Sequence, residues 1–179
     1  YNVVISGLDP CPDVISDDAE LIVNQELVIT AQPSVSQTLC SGSNALFTVT
    51  VTGDILTYQW RRGSTNLIDG GTISGSTTPT LTLSNVSTAD AGIYNVVVSG
   101  LNPCPDVISD DAELIVNQNV NIIVQPSPLS QDVCVSFPVS YTVSATGSRL
   151  TYEWFRNGAS LGITSNPTLS INQAVESDE

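Results

Sequence analysis

The chain has 179 residues, with 18 acidic and 4 basic side chains, a net charge of −14, and no histidine. This charge argues against nucleic-acid or anionic-membrane partners, because both need clustered Lys and Arg. Without histidine, the Ser-His and Cys-His nucleophile systems are unavailable, and we expect no enzyme.

The first element in chain order is a repeated segment. Residues 1–25 recur as residues 94–118 with 23 of 25 positions identical, a shift of 93 residues. A repeat of this length has the size of one small domain. We therefore expect residues 1–25 to be the last two strands of a first domain. Residues 26–118 would be a complete domain, and residues 119–179 the first strands of a truncated third, within a longer tandem array.

Alternation with a period of two runs through the middle of the chain. Between turn signals such as Gly53-Asp54 and Gly70-Gly71, apolar side chains occupy every second position of each short run. This pattern predicts half-buried strands and therefore an all-β sandwich or barrel. The apolar faces comprise Phe47, Val49 and Val51; Tyr58 and Trp60; Leu81 and Leu83; and Tyr94, Val96 and Val98.

Three landmarks favour the sandwich. Trp60 follows the strand centred on Val49, the stretch "DAGIY" from Asp90 to Tyr94 is a D-x-G-x-Y turn, and Val96 follows that tyrosine by two residues. The pattern resembles an immunoglobulin-like domain. The resemblance implies that Val49 and Val96 replace the usual inter-sheet disulfide, that Trp60 packs on both, and that Tyr94 forms a tyrosine corner. We also expect Asp90 to accept backbone N–H groups within its turn.

The end of the chain repeats this grammar. "LTYEW" at residues 150–154 follows "LTYQW" at residues 56–60, so Trp154 takes the place of Trp60 as a core landmark, and Asp178 aligns with Asp90. The sequence therefore predicts tandem immunoglobulin-like β-sandwich domains.

Four cysteines recur at fixed places in the repeat. The middle domain carries Cys40 and Cys104, and Cys134 and Cys11 are their equivalents on either side. Because their spacing is not that of metal ligands, they indicate disulfides and an oxidising, extracellular setting.

Two disulfide pairings are open, beside free thiols. Cys40 and Cys104 can pair within one domain, or the Cys40 type can pair with the Cys104 type of the following domain, with partners partly outside the chain. Strand lengths place Cys40 and Cys104 about 25 Å apart, whereas a disulfide needs Cα atoms within about 7 Å. We therefore favour the interdomain pairing.

Acidic residues cluster near one end of the domain. Asp106, Asp110, Asp111 and Glu113 could supply oxygen ligands for Ca²⁺. The alternative is a solvated acidic loop whose aspartates cap turns. We expect no other cofactor.

The grammar from "QP" through "LTYQW" and "DAGIY" to "AELIV" resembles the immunoglobulin-like repeats of giant bacterial cell-surface adhesins, of which the SprB-type gliding-motility adhesins are an example. The resemblance implies an extracellular filament on the bacterial cell surface that is exported by an outer-membrane secretion and motility machinery. Its partners would be neighbouring repeats and a substratum or surface polysaccharide. The alternatives are a carbohydrate- or protein-binding module and a spacer in a large secreted enzyme.

Overall fold

The computed structural model describes residues 1–178. Each of its sheets draws strands from one of three stretches, which we call the first unit (residues 1–25), the middle unit (26–118) and the third unit (119–178). The first unit holds a two-stranded antiparallel hairpin of β1 (Val4–Ile5) and β2 (Val14–Ile15). No helix within residues 1–178 is long and apolar enough to cross a membrane.

The middle unit is a sandwich of two sheets. One sheet has the order β4-β13-β11-β7-β8, with β12 beside β11, and the other has the order β5-β10-β9; β3 pairs with β6. Every pairing is antiparallel except β4 with β13, which is parallel. The strands are β3 (Val28–Ala31), β4 (Ser36–Cys40), β5 (Ala45–Thr48), β6 (Thr50–Thr52), β7 (Ile55–Arg62), β8 (Thr65–Asn66), β9 (Ile73–Ser74), β10 (Thr80–Leu83), β11 (Gly92–Gly100), β12 (Val107–Ile108) and β13 (Ala112–Asn117), with a 3-10 turn at Thr88–Asp90 before β11.

An apolar core closes the middle sandwich. Trp60 and Val96 are fully buried and Val49 is 2% exposed, so apolar contacts occupy the place of the usual inter-sheet disulfide. The Phe47 ring stacks on Tyr94 with centroids 5.2 Å apart and lies 6.3 Å from the Trp60 ring. The buried Trp60 Nε1–H donates to the carbonyl of Thr78 at 2.9 Å, so the indole is buried without an unpaired donor.

The turn before β11 is a tyrosine corner. The Tyr94 hydroxyl donates to the carbonyl oxygen of Asp90 at 2.6 Å. The Asp90 carboxylate accepts from the backbone N–H and the hydroxyl of Ser87 at 2.8 and 2.9 Å, which closes a capping box. In the third unit Asp178 accepts from the Val175 N–H in the same way.

Replacing Tyr94 with phenylalanine removes this hydrogen bond, and we expect a loss of about 0.5–1.5 kcal/mol in the free energy of unfolding at neutral pH. Burial raises the pKa of the Tyr94 hydroxyl; the Arg62 charge lowers that pKa and Asp90 raises it. The unfolded tyrosine therefore loses its proton first, so wild-type stability falls as the pH rises past about 10. Urea denaturation at several pH values should show the gap between wild type and Tyr94→Phe closing above that pH; a gap that widens would contradict this.

The third unit has the same early strands and an open core. Its two sheets have the orders β14-β15-β18 and β16-β17. Trp154 is only half-buried, and a groove of about 330 Å³ runs beside it, lined by Val120, Val143 and Tyr152 among others. Residues 119–178 contain no described counterpart of β11 and β13, which cover Trp60 in the middle unit. The elements are β14 (Asn121–Ser127), β15 (Val139–Thr146), β16 (Tyr152–Arg156), β17 (Ala159–Thr164), β18 (Thr168–Ile171) and a 3-10 turn at Glu176–Asp178.

The repeated segment adopts different structures in its two copies. In the middle unit it forms β11, which is nine residues long, whereas in the first unit the same letters form the two-residue β1. β11 is held by β7 on one side and β13 on the other, and its Tyr94, Val96 and Val98 enter the core. In residues 1–25 no such neighbours are described, so the extent of the strand is set by its tertiary partners.

Candidate functional site

The junction between the first and middle units is fixed by reciprocal hydrogen bonds. The Gln25 N–H donates to the Asp54 carboxylate at 2.7 Å, and the Asp54 N–H returns a bond to the Gln25 carbonyl at 3.3 Å. The Leu101 N–H donates to the Asp54 carbonyl at 3.3 Å. Asp54 therefore ties the linker, the turn before β7 and the loop after β11 together.

The junction between the middle and third units is built in the same way. The Gln118 N–H donates to the Ser148 hydroxyl at 2.8 Å, and the Ser148 N–H donates to the Gln118 carbonyl at 3.3 Å. Gln118 is the repeat equivalent of Gln25, and Ser148 stands where the middle unit has Asp54. Two successive junctions thus share one geometry, with a hydroxyl in one and a carboxylate in the other.

A glycine makes room for the linker at each junction. Gly53 has φ +112°, and a Cβ placed there would lie 2.3 Å from the carbonyl oxygen of Glu26. Gly147 has φ +148°, and its Cβ would lie 3.1 Å from the Cα of Val120. Both positions therefore need glycine for its backbone conformation and for the close approach of the linker.

The linker also packs against the top of the middle unit. Leu27 is 3% exposed and belongs to the middle core. A Cβ on Gly100, at the end of β11, would lie 3.1 Å from the Leu27 side chain, so the leucine sits directly on that strand end. The Asn24 side-chain amide donates to the Asn102 carbonyl at 3.2 Å, which joins the last residues of the first unit to the loop after β11.

The cysteines lie at these junctions and are all free thiols. Cys40 ends β4, where it is in register with Asn117, the last residue of β13. Cys104 lies in the loop between β11 and β12, and its Sγ is 4.0 Å from the Asn24 carbonyl oxygen. Cys40 thus faces the junction with the third unit and Cys104 the junction with the first.

The acidic residues near the end of β11 do not form a shared cation site. Within residues 1–178 no group of three or more Cys, Asp or Glu side chains is placed to hold a metal ion. The Asp111 carboxylate accepts from the Asn95 side chain at 2.9 Å, and Glu113 lies on the exposed face of β13 between buried Ala112 and Leu114. Calcium binding by Asp106, Asp110, Asp111 and Glu113 stays a prediction from the sequence.

Residues 28–100 match the family model of the immunoglobulin domain. The fold is a tandem immunoglobulin-like sandwich. The chain superposes on three immunoglobulin domains of titin, I67–I69, with a TM-score of 0.66 and 21% identity, covering 86% of this chain and 58% of that one. It superposes on immunoglobulin domains 1–4 of Sidekick-1 with a TM-score of 0.69 and 15% identity, covering 99% and 51%.

A third similar structure is the N-terminal four immunoglobulin domains of Dscam1, with a TM-score of 0.60 and 16% identity over 93% of this chain and 45% of that one. The immunoglobulin-like chain therefore spans about half the length of these solved structures. A search of curated protein sequences found no match. At these identities the similarity establishes the fold and leaves the function to the residues of this chain.

Sequence reasoning missed the junction clamp of this immunoglobulin-like array. Gly53-Asp54 reads only as turn chemistry in a single repeat. The signal was the recurrence of Gly-polar at Gly147-Ser148 together with the repeated Asn-Gln that ends each copy of the segment. Because the two halves of each clamp are about 30 residues apart, no local pattern joins them.

The clamp predicts a graded response at residue 54. Asp54→Ala leaves the Gln25 N–H without its acceptor, and we expect a local loss of about 1 kcal/mol, which is roughly fivefold faster amide exchange at Gln25. Asp54→Ser supplies the hydroxyl that Ser148 uses at the other junction, and it should retain most of the protection. Hydrogen exchange read by NMR measures both; equal exchange in wild type and Asp54→Ala would show that the bond does not hold the linker.

Proposed function

We propose that this chain is a structural repeat segment of a large extracellular adhesin, and that its units form an extended stalk or filament. The observation that carries the proposal is the shared clamp at two successive junctions, Gln25 with Asp54 and Gln118 with Ser148. Linkers that serve only as tethers need no such bonds and are commonly rich in Gly and Ser. Fixed junctions suit an array that sets a length and transmits a pull.

The surface chemistry supports the same role. A net charge of −14 makes the units repel one another, which favours extension and opposes collapse of the array on itself. In the middle unit Phe47, Trp60 and Tyr94 are buried and Tyr58 is half-buried, so no aromatic platform for stacking a sugar is exposed there. Ligand contact would then belong to other parts of the filament.

The setting of the filament follows from the resemblance of the repeats. It places the array outside the cell on a bacterial surface, exported by an outer-membrane secretion and motility machinery, in contact with a substratum or surface polysaccharide, including in gliding. Neighbouring repeats are its immediate partners, and the role is non-catalytic.

Force spectroscopy on the natural array tests the stalk. We expect evenly spaced unfolding events, each releasing up to about 320 Å of chain for a 93-residue repeat under reducing conditions. The middle unit alone should show no saturable binding to a panel of surface polysaccharides. Saturable binding by that unit, or an array that extends without unfolding events, would favour the binding-module or spacer alternative.

A further inference from the structure

We propose that successive units of the array are joined by disulfides between the Cys40 position of one unit and the Cys104 position of the next. This inference deepens the proposed stalk and rests on the array that it assumes. It assigns a covalent modification to thiols that are free in this structure.

The two halves of the proposed bond meet at one carbonyl group. At the end of the middle unit, the residue after Cys40 contacts Asn117: the Ser41 N–H donates to the Asn117 carbonyl at 2.8 Å. At the start of the middle unit, the Cys104 Sγ lies 4.0 Å from the Asn24 carbonyl. Asn24 and Asn117 are the same residue of the repeated segment, 93 positions apart.

The shared clamp permits the two junctions to be superposed. Each has the reciprocal bonds of Gln25 with Asp54 or of Gln118 with Ser148. When Asn24 is placed on Asn117, the same carbonyl oxygen has the backbone of the Cys40 position on one side and the Cys104 thiol on the other.

The distances suit a disulfide between units. Paired strands lie about 4.8 Å apart, so the Cα of Cys40 is about that far from the Cα of its register partner Asn117. A disulfide joins Cα atoms about 4.4–6.8 Å apart. Cys104, whose thiol already contacts the equivalent asparagine, is therefore within range of the Cys40 position of the preceding unit.

The fold argues against the pairing within one unit. β4 ends at Cys40 alongside the C-terminal end of β13, whereas Cys104 precedes β12 and β13, beyond the far end of β11. The length of β13, six residues at about 3.3 Å each, separates the two ends of the sandwich. That span is well beyond the reach of a disulfide.

The bond changes what a pull on the array does. Cys40 and Cys104 are 64 residues apart, and in a fully bridged array the shortest covalent path through each unit is these 64 residues instead of 93. The extension at full unfolding then falls to about two-thirds of its reduced value. A laced filament keeps more of its length fixed under load.

The test uses two successive copies of residues 26–118, whose core residues all lie between Leu27 and Val116. Joining Gln118 to Glu26 regenerates the native junction, because residues 112–118 are identical to residues 19–25. Cys→Ser substitutions at positions 40 and 104 leave two thiols in each of three proteins. The near pair keeps Cys40 of the first copy and Cys104 of the second, the far pair keeps the opposite two, and the within pair keeps both in one copy.

Oxidised glutathione is the oxidant. Two S–H bonds break and one S–S bond forms, and the two hydrogens with their electrons pass to glutathione, which becomes two thiols. Mass spectrometry after maleimide labelling should show that the near pair loses both thiols without retained glutathione, while the far and within pairs do not close. Closure of the within pair, or a folded near pair that stays reduced, overturns the proposal.

Far-UV circular dichroism and Trp60 fluorescence verify that each protein is folded before oxidation. The outcome is independent of the stalk itself, because small-angle scattering of the reduced protein reports whether the clamp alone makes the array rigid. A rigid array with an unreactive near pair removes the disulfide and keeps the stalk.

Discussion

Trp60→Ala lowers the free energy of unfolding of the middle unit by about 3–5 kcal/mol, the range for removing a buried tryptophan. Trp60 is fully buried, lies against the Phe47 ring, and donates to Thr78. No disulfide crosses this core, so nothing covalent compensates for the cavity. Because a domain of this size is stable by only about 5–15 kcal/mol, the variant should be close to unfolded at ambient temperature.

Urea denaturation followed by circular dichroism measures this effect. Trp154→Ala is the matched control, because Trp154 has the same sequence position in the third unit and is only half-buried. We expect the control to lose clearly less, since less apolar surface leaves water there on folding. Equal losses at the two tryptophans would mean that the middle core is not the closed one.

Gly53→Ala should open the junction between the first and middle units. The added Cβ would meet the Glu26 carbonyl at 2.3 Å, and an alanine at φ +112° is strained in addition. We expect a local loss of about 1–3 kcal/mol, concentrated at the linker. Cleavage after Glu26 by a glutamyl endopeptidase should then accelerate roughly tenfold, because proteolysis follows the population of the open state.

Gly162→Ala separates strain from contact. Gly162 has φ +101°, close to that of Gly53, but a Cβ there meets nothing within 4 Å. Its backbone penalty should therefore be similar while cleavage after Glu26 stays at the wild-type rate. If both variants accelerate cleavage equally, the close approach of the linker is not what fixes the junction.

The strands and their buried faces could be predicted from the sequence because they follow from local alternation. Phe47 and Val49 on one strand and Leu81 and Leu83 on another are buried as a period of two requires. The immunoglobulin-like fold followed from the placing of Trp60 around that pattern. These signals survive in a single repeat because each depends on neighbours a few residues away.

The junction could not be predicted in the same way. Gln25 meets Asp54 across 29 residues through a backbone N–H, and a backbone donor leaves no mark on residue type. The fate of the repeated segment was equally hidden, since identical letters give β11 in one copy and only β1 in the other. Strand length there depends on β7 and β13, which the segment itself does not encode.

The most direct test of a stiff array is small-angle X-ray scattering of two, three and four successive copies of residues 26–118 under reducing conditions. If the clamp fixes each junction, the maximum dimension should grow linearly with the number of copies, and Gly53→Ala in every copy should break that proportionality. Growth close to the square root of the copy number, as for beads on flexible linkers, would contradict the stalk.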